Sequence, residues 1–203
     1  MSSREALDRF TALLLRWNQT INLISRQDEG RVWERHIADS LQLASLLPPG
    51  VDRAIDLGSG AGFPGLILAH ATGIRFDLIE VDQRKASFLR EAARILNAPA
   101  QVHAARIEAT SLPPAPVVTA RALARLPRLL ELTAPKLAPG GIALFLKGAA
   151  NPGELTDACR EWHMAVEQSP SRTAPGAVIY KISELRRVSP PARAGQTTNH
   201  RDR

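Results

Sequence analysis

Apolar residues recur at helical spacing through residues 1–48 and then switch to short runs broken by glycine and proline. Leu7, Phe10, Leu13, Leu14, Trp17 and Ile21 form one stripe, which predicts an amphipathic first helix. Ser2 and Glu5 stand before it at the spacing of a capping box. A second helix is predicted from about Asp28 to Leu47, with Val32, Trp33, Ile37, Leu41 and Ala44 on one side and Pro48-Pro49-Gly50 as its stop. Trp17 and Trp33 read as core rather than as platforms for stacked bases.

Beyond Arg53 the predicted elements alternate. Ala54–Leu57, Phe76–Val81, Gln101–His103, Pro116–Thr119, Ile142–Leu146 and Ala177–Ile182 read as strands. Helices are predicted after Gly65, over Gln83–Asn97, over Leu126–Leu137, and from the cap pair Asn151-Pro152 to about Met164. Such alternation predicts an α/β fold, a mostly parallel sheet with helices on both faces. Three regions follow: a helical N-terminal extension over 1–50, the sheet domain over 51–187, and a basic tail over 188–203 with too little apolar surface to fold.

Composition narrows the setting. No apolar run approaches a membrane span, and the N-terminus has no apolar signal segment, so a cytoplasmic protein with no membrane contact is expected. Cys159 is alone, which excludes an intrachain disulfide or a multi-thiolate centre, and no metal site is predicted. The net charge is +6 and is unevenly spread. Residues 1–48 balance, whereas residues 84–128 hold eight Arg and Lys against Glu91 and Glu108. Five arginines from Arg186 onward face only Asp202. A basic middle and a basic tail suit nucleic acid, and equally a solvated surface.

The chemistry points to the end of the first strand. Asp56-Leu57-Gly58-Ser59-Gly60-Ala61-Gly62 is a turn in which the backbone can come close to a ligand, and Glu80 closes the second strand, where a carboxylate can accept from a ribose diol. Gly60, Gly62 and Gly65 also spell a literal G-x-G-x-x-G, so a dinucleotide such as NAD remains an alternative. Against it, Asp56 at the strand end would repel a pyrophosphate and suits the amino-acid end of S-adenosylmethionine. A non-catalytic RNA-binding protein is the other alternative.

Asp56-Leu-Gly-Ser-Gly-Ala-Gly-Phe-Pro-Gly65 resembles the cofactor loop of the RsmG (GidB) family, the bacterial 16S rRNA guanine-N7 methyltransferases. The likeness extends to Trp17-Asn18 with Asn22-Leu23, Arg35-His36-Ile37-Ala38-Asp39-Ser40-Leu41, Lys85 with Phe88-Leu89, Arg106-Ile107-Glu108, Arg121-Ala122 and Lys147-Gly148, over most of residues 7–185. The Ala- and Pro-rich stretch between Glu108 and Arg121 departs from the family pattern.

The resemblance implies a class I, Rossmann-like methyltransferase using S-adenosyl-L-methionine on a 16S rRNA guanine, position 527 in the family. The substrate would be the small ribosomal subunit or a precursor, with no obligate protein partner. Expected cofactor residues are Asp56, Gly58, Gly60, Gly62, Phe63, Glu80, Ile107, Glu108 and Arg121. Glu108 is expected to reach the adenine amino group. Arg121 and Lys147 are candidates for positioning the reactants, and Arg35, His36, Arg84, Lys85 and Arg125 for holding RNA. Arg35, His36 and Asp39 could equally fasten the N-terminal helices. Guanine N7 attacks through a lone pair and has no proton to lose, so no general base is expected.

Overall fold

The computed structural model describes residues 3–149 and 152–188. The capping residue Ser2, the cap Asn151 and the tail from 189 onward lie outside the described residues, as does the side chain of Pro152.

Helix α1 (Ser3–Asn18) buries Leu7, Phe10, Leu13 and Leu14, as its stripe predicts. The predicted second helix is a composite. It runs through a 3-10 segment (Arg26–Arg31), a π turn (Trp33–Ala38), the short helix α2 (Asp39–Leu41) and another 3-10 segment (Gln42–Leu46). The hydrogen-bond register slips at the π turn, and the Ser40 hydroxyl donates to the His36 carbonyl at 2.6 Å. The slip places His36, Ile37, Asp39 and Ser40 all in the interior. Regular 3.6-residue spacing does not foresee that set, and π turns of this kind concentrate at functional sites.

The sheet has strands β1 (Arg53–Leu57), β2 (Arg75–Ile79), β3 (Ala100–His103), β4 (Ala115–Arg121), β5 (Leu137–Ala149), β6 (Trp162–Pro170) and β7 (Ala177–Arg187). Their order is β3-β2-β1-β4-β5-β7-β6. The pairings from β3 through β5 are parallel, and β7 is antiparallel to both its neighbours. The order reverses between β1 and β4, so the site at the carboxyl ends of these two strands lies at the switch point.

One predicted element is corrected. The last helix, α6 (Pro152–Glu161), stops before Trp162, and Trp162–Pro170 is a strand rather than the end of a helix continuing to Met164. β6 is an edge strand, with only Trp162 fully buried and the others half-buried or exposed, so its alternation of Trp162, Met164 and Val166 is faint in the sequence.

Helices cover both faces. α1, the composite run, α3 (Gly65–Thr72) and α4 (Gln83–Leu96) share one apolar cluster with Ala54, Phe76, Leu78, Val117 and Leu144. α5 (Leu126–Thr133) and α6 share the other with Ile55, Leu57, Ile79, Val118 and Phe145. Successive strand residues point to opposite faces, which is why Ile55 and Asp56 part company. Trp17 packs against Phe88 with its ring centroid at 5.9 Å and donates to Glu91 at 3.1 Å. Among the described residues no helix is long and apolar enough to cross a membrane.

Candidate active site

β1 delivers Asp56 to the base of the glycine turn, where it is wholly buried. The Thr119 hydroxyl of β4 donates to its Oδ1 at 2.6 Å, while Oδ2 has no hydrogen-bond partner among the described residues. Burial raises the Asp56 pKa to about 6. A Cβ built on Gly65 would meet Asp56 Cγ at 2.6 Å, so the start of α3 lies directly on the carboxyl group. The expected contact between Asp56 and a ligand is thereby corrected: it lies beneath the turn, ties it to β4, and lines none of the site's cavities.

The turn itself uses left-handed backbone at Gly58, Gly60 and Gly62, with φ of 65°, 52° and 90°. Gly60 N–H donates to Glu80 Oε2 at 2.8 Å and Asp82 N–H donates to Oε1 at 2.9 Å. Both oxygens are therefore fixed, yet each keeps a lone pair for a further donor. Asp82 caps α4 by accepting from Arg84 and Lys85 N–H, and these bonds hold its carboxyl below the usual carboxylate range.

These groups open on a cleft of about 340 Å³, walled by Gly58, Gly60, Glu80, Ile107, Glu108 and Arg121, with Lys85, exposed Val81 and Leu123 also facing it. A second cavity of about 260 Å³ adjoins it, bounded by Ile24, His36, Gly58, Gly60, Phe63 and Arg121. A third, of about 150 Å³, lies beyond Arg121 and Ala122 and is bounded by Arg35, Asp39, Lys147 and Ser171. Arg121 and Ala122 border all three, and Ala122 has a φ of +49°.

Arg121 is held at this junction. Its Nη2 donates to the Arg35 carbonyl at 3.0 Å, its Nε stands 3.7 Å from Asp39 Oδ2, and its guanidinium lies 5.9 Å from the centre of the Phe63 ring. Burial lowers its pKa, and Asp39 opposes that shift. His36 is the other partner of this ring, stacked 4.9 Å from Phe63 with planes 19° apart. Burial, then the Arg121 charge, lowers the His36 pKa to about 4. His36 Nε2 is 3.4 Å from Asp28 Oδ2, but no hydrogen bond forms, and a neutral imidazole makes no ion pair there.

Other expected residues have different surroundings. Glu108 reaches the rim of the cleft but engages Arg128, which also holds Glu131. Lys147 is committed to Glu154 at 2.9 Å and to the Ala124 carbonyl at 3.0 Å, so it fastens α6 to the loop after β4. Arg84 donates to the Thr20 carbonyl at 2.8 Å. Arg125 is exposed and leans toward Asp157 at 3.4 Å. Lys85 lines the cofactor-sized cleft rather than a remote surface. Sequence reasoning missed Val81 and Leu123 as walls, and missed Ser171 and Thr173, which reach the site from the loop after the unpredicted β6. The apolar Val81 immediately after Glu80, at the end of the predicted strand, was the available signal. Among the described residues no cluster of potential metal ligands is present.

The fold recurs widely. An O-methyltransferase from Bacillus cereus in complex with SAH superposes with a TM-score of 0.58 at 14% identity, over 87% of this chain and 91% of that one. The glycopeptide N-methyltransferase MtfA complexed with S-adenosyl-L-homocysteine gives 0.61 at 11% identity, over 72% and 89%. At the level of sequence the likeness is much stronger. The ribosomal RNA small subunit methyltransferase G of Gluconobacter oxydans is 55% identical over 186 residues, 92% of this chain and 96% of that protein. The protein of the same name from Granulibacter bethesdensis is 53% identical over 184 residues, 91% and 86%. The profile of the GidB family, described as rRNA small subunit methyltransferase G, matches residues 3–176. With the glycine turn, Glu80 and Arg121 at the switch point of the sheet and that match along nearly the whole described chain, this protein belongs to the rRNA small subunit methyltransferase G family.

Proposed function

We propose that this member of an S-adenosylmethionine-dependent methyltransferase family transfers a methyl group to N7 of a guanine in 16S rRNA, the guanine at position 527 by family resemblance, within the small ribosomal subunit or a precursor. The observation that carries the reading is the Glu80 carboxylate, pinned by Gly60 and Asp82 N–H groups at the wall of a 340 Å³ cleft. Its remaining lone pairs suit the two hydroxyls of a ribose.

The residues present fit the cofactor. Glu80 would hold the ribose, Ile107 and Glu108 would flank the adenine, and the Gly58–Gly60 backbone would meet the amino-acid end, with Arg121 at the junction between the cleft and its two neighbours. S-adenosylmethionine supplies, when bound, a methyl group on a positively charged sulfur. The protein's own contribution is alignment, which can account for several kcal/mol of a barrier without an acid or base. His36 is neutral at pH 7, buried and without a proton to collect from guanine N7. Arg84 and Arg125, which line none of the three cavities, would hold the RNA backbone.

The test is incubation with methyl-labelled S-adenosylmethionine and small ribosomal subunits from cells lacking this enzyme. The label should enter one guanine, and borohydride and aniline treatment should cleave the RNA there, since that chemistry opens 7-methylguanine. Label on another atom or base, or none, overturns the proposal.

A further inference from the structure

We propose that Asp39 and Arg121 read the Watson–Crick edge of the target base from the small recess beyond Ala122, and so select guanine. The inference rests on the guanine reading above and adds the residues that choose the base.

The recess measures about 150 Å³ and shares Arg121 and Ala122 with the cofactor-sized cleft. Cavities for drug-sized ligands start at roughly 300 Å³, so this one suits a single ring system. Asp39 is buried in its wall at 6% exposure. Its Oδ1 accepts from Gln42 Nε2 at 2.7 Å, Ser171 Oγ at 2.9 Å and Thr173 Oγ1 at 2.6 Å. Three donors on one oxygen fix the carboxylate rigidly. Oδ2 accepts no hydrogen bond from the described residues, and its charged neighbour, Arg121 Nε, is 3.7 Å away, too far to donate. Arg121 is similarly incomplete: Nη2 is used on the Arg35 carbonyl, while Nη1 is buried with no partner. Oδ2 is thus open to a ligand's donor, and a buried guanidinium nitrogen without an acceptor is costly unless a ligand supplies one.

The pattern offered is acceptor beside donor. Guanine presents N2–H and N1–H donors beside the O6 acceptor. Adenine has an acceptor at N1 and no amino group at C2, and neither pyrimidine places two adjacent donors beside an acceptor. Asp39 Oδ2 can take N1–H and N2–H, and Arg121 can donate to O6. N7 flanks O6 on the side away from N1. Held by this edge, the base keeps its N7 lone pair free and beside Arg121, the residue shared with the cleft.

A phosphate fits the recess less well. Arg35, Arg121 and Lys147 line it, but Asp28, Asp39 and Glu154 stand 3.8, 3.7 and 2.9 Å from them, and Asp39 itself would face the anion.

The test compares single-turnover methyl transfer to RNA carrying guanine or inosine at the target. Inosine lacks only the N2 amino group. The wild-type enzyme should be slower on inosine by roughly 10-fold, the effect of one lost hydrogen bond to a charged acceptor. Asp39→Asn keeps an oxygen for Gln42, Ser171 and Thr173 but presents an amide donor in place of Oδ2. Its rate on guanine should fall by about 10- to 100-fold, and its guanine-to-inosine ratio should approach one. A merely structural role lowers both rates together and leaves the ratio unchanged, which overturns the proposal. Equal wild-type rates on the two RNAs overturn it too, without any variant. A wild-type enzyme that methylates no guanine N7 instead brings down the functional reading on which it rests.

Discussion

A methyl group on Gly65 would stand 2.4 Å from Asp56 Cβ and 2.8 Å from its Oδ2, a separation side chains do not tolerate. Strand β1 and helix α3 therefore meet through a glycine and a buried acid, and neither can shift without moving the turn between them. Gly65→Ala should cost about 1–3 kcal/mol through overpacking. At Gly58 an added Cβ would meet the flexible end of Leu123, so the penalty of Gly58→Ala comes mainly from its positive φ and should be nearer 1 kcal/mol. Thermal unfolding of both variants decides this, and equal midpoints would count against the role given to Gly65.

Glu80→Gln should retain the fold and weaken S-adenosylmethionine binding by about 10- to 100-fold, as expected for hydrogen bonds to a charged acceptor. The amide nitrogen would also confront a backbone N–H now bonded to the carboxylate. Calorimetric titration reads the affinity directly, and an unchanged value would remove Glu80 from the cofactor site.

His36 and Asp56 tilt stability with pH in opposite directions. The His36 pKa falls from 6.5 unfolded to about 4 folded, so the unfolded chain binds the extra proton and stability drops as pH falls through that window. Asp56 rises from 3.8 to about 6, so the folded chain holds its proton more tightly and stability grows as pH falls. The two contributions offset one another between roughly pH 6 and 4. His36→Gln removes only the first, so relative to wild type it should gain about 3 kcal/mol on going from pH 6.5 to 4. Urea unfolding at several pH values measures the difference, and parallel profiles would refute a buried neutral His36.

The same imidazole bears on the rate. With saturating RNA and cofactor, single-turnover methyl transfer should be nearly flat from roughly pH 6 to 8.5, where a required base of ordinary His pKa would impose a rise of about fourfold. A pH-dependent rise across that range that disappears in His36→Gln would establish the base this site is argued not to need.

Arg84→Gln and Arg125→Gln should each weaken RNA binding without regard to sequence and reduce the salt slope by about one if the residue meets a phosphate. Filter binding across a salt series tests this, and an unaltered slope excludes that side chain from the backbone contacts.

The glycine turn and Glu80 were legible in the sequence because strand-end position and backbone conformation are local properties. The stripe from Leu7 to Leu14 was legible for the same reason. Asp39 was visible only as part of a polar cluster, since its partners Ser171 and Thr173 arrive 132 and 134 residues later. The composite helix around His36 defeated regular periodicity through the π turn. Asp56 was assigned a ligand because sequence places it beside the turn; only the close approach of Gly65 puts it underneath.

Strand β7 lies between β5 and β6, so the last described strand in the chain is an interior one of the sheet. During synthesis, β1 through β5 and the glycine turn can assemble while β6 still lacks a neighbour to bond. The loop that brings Ser171 and Thr173 to Asp39 gains its support only when β7 slots into place. The wall around Asp39 thus depends on the last described strand, whereas the glycine turn and Glu80 are set by β1, β2 and β4, which precede it in the chain.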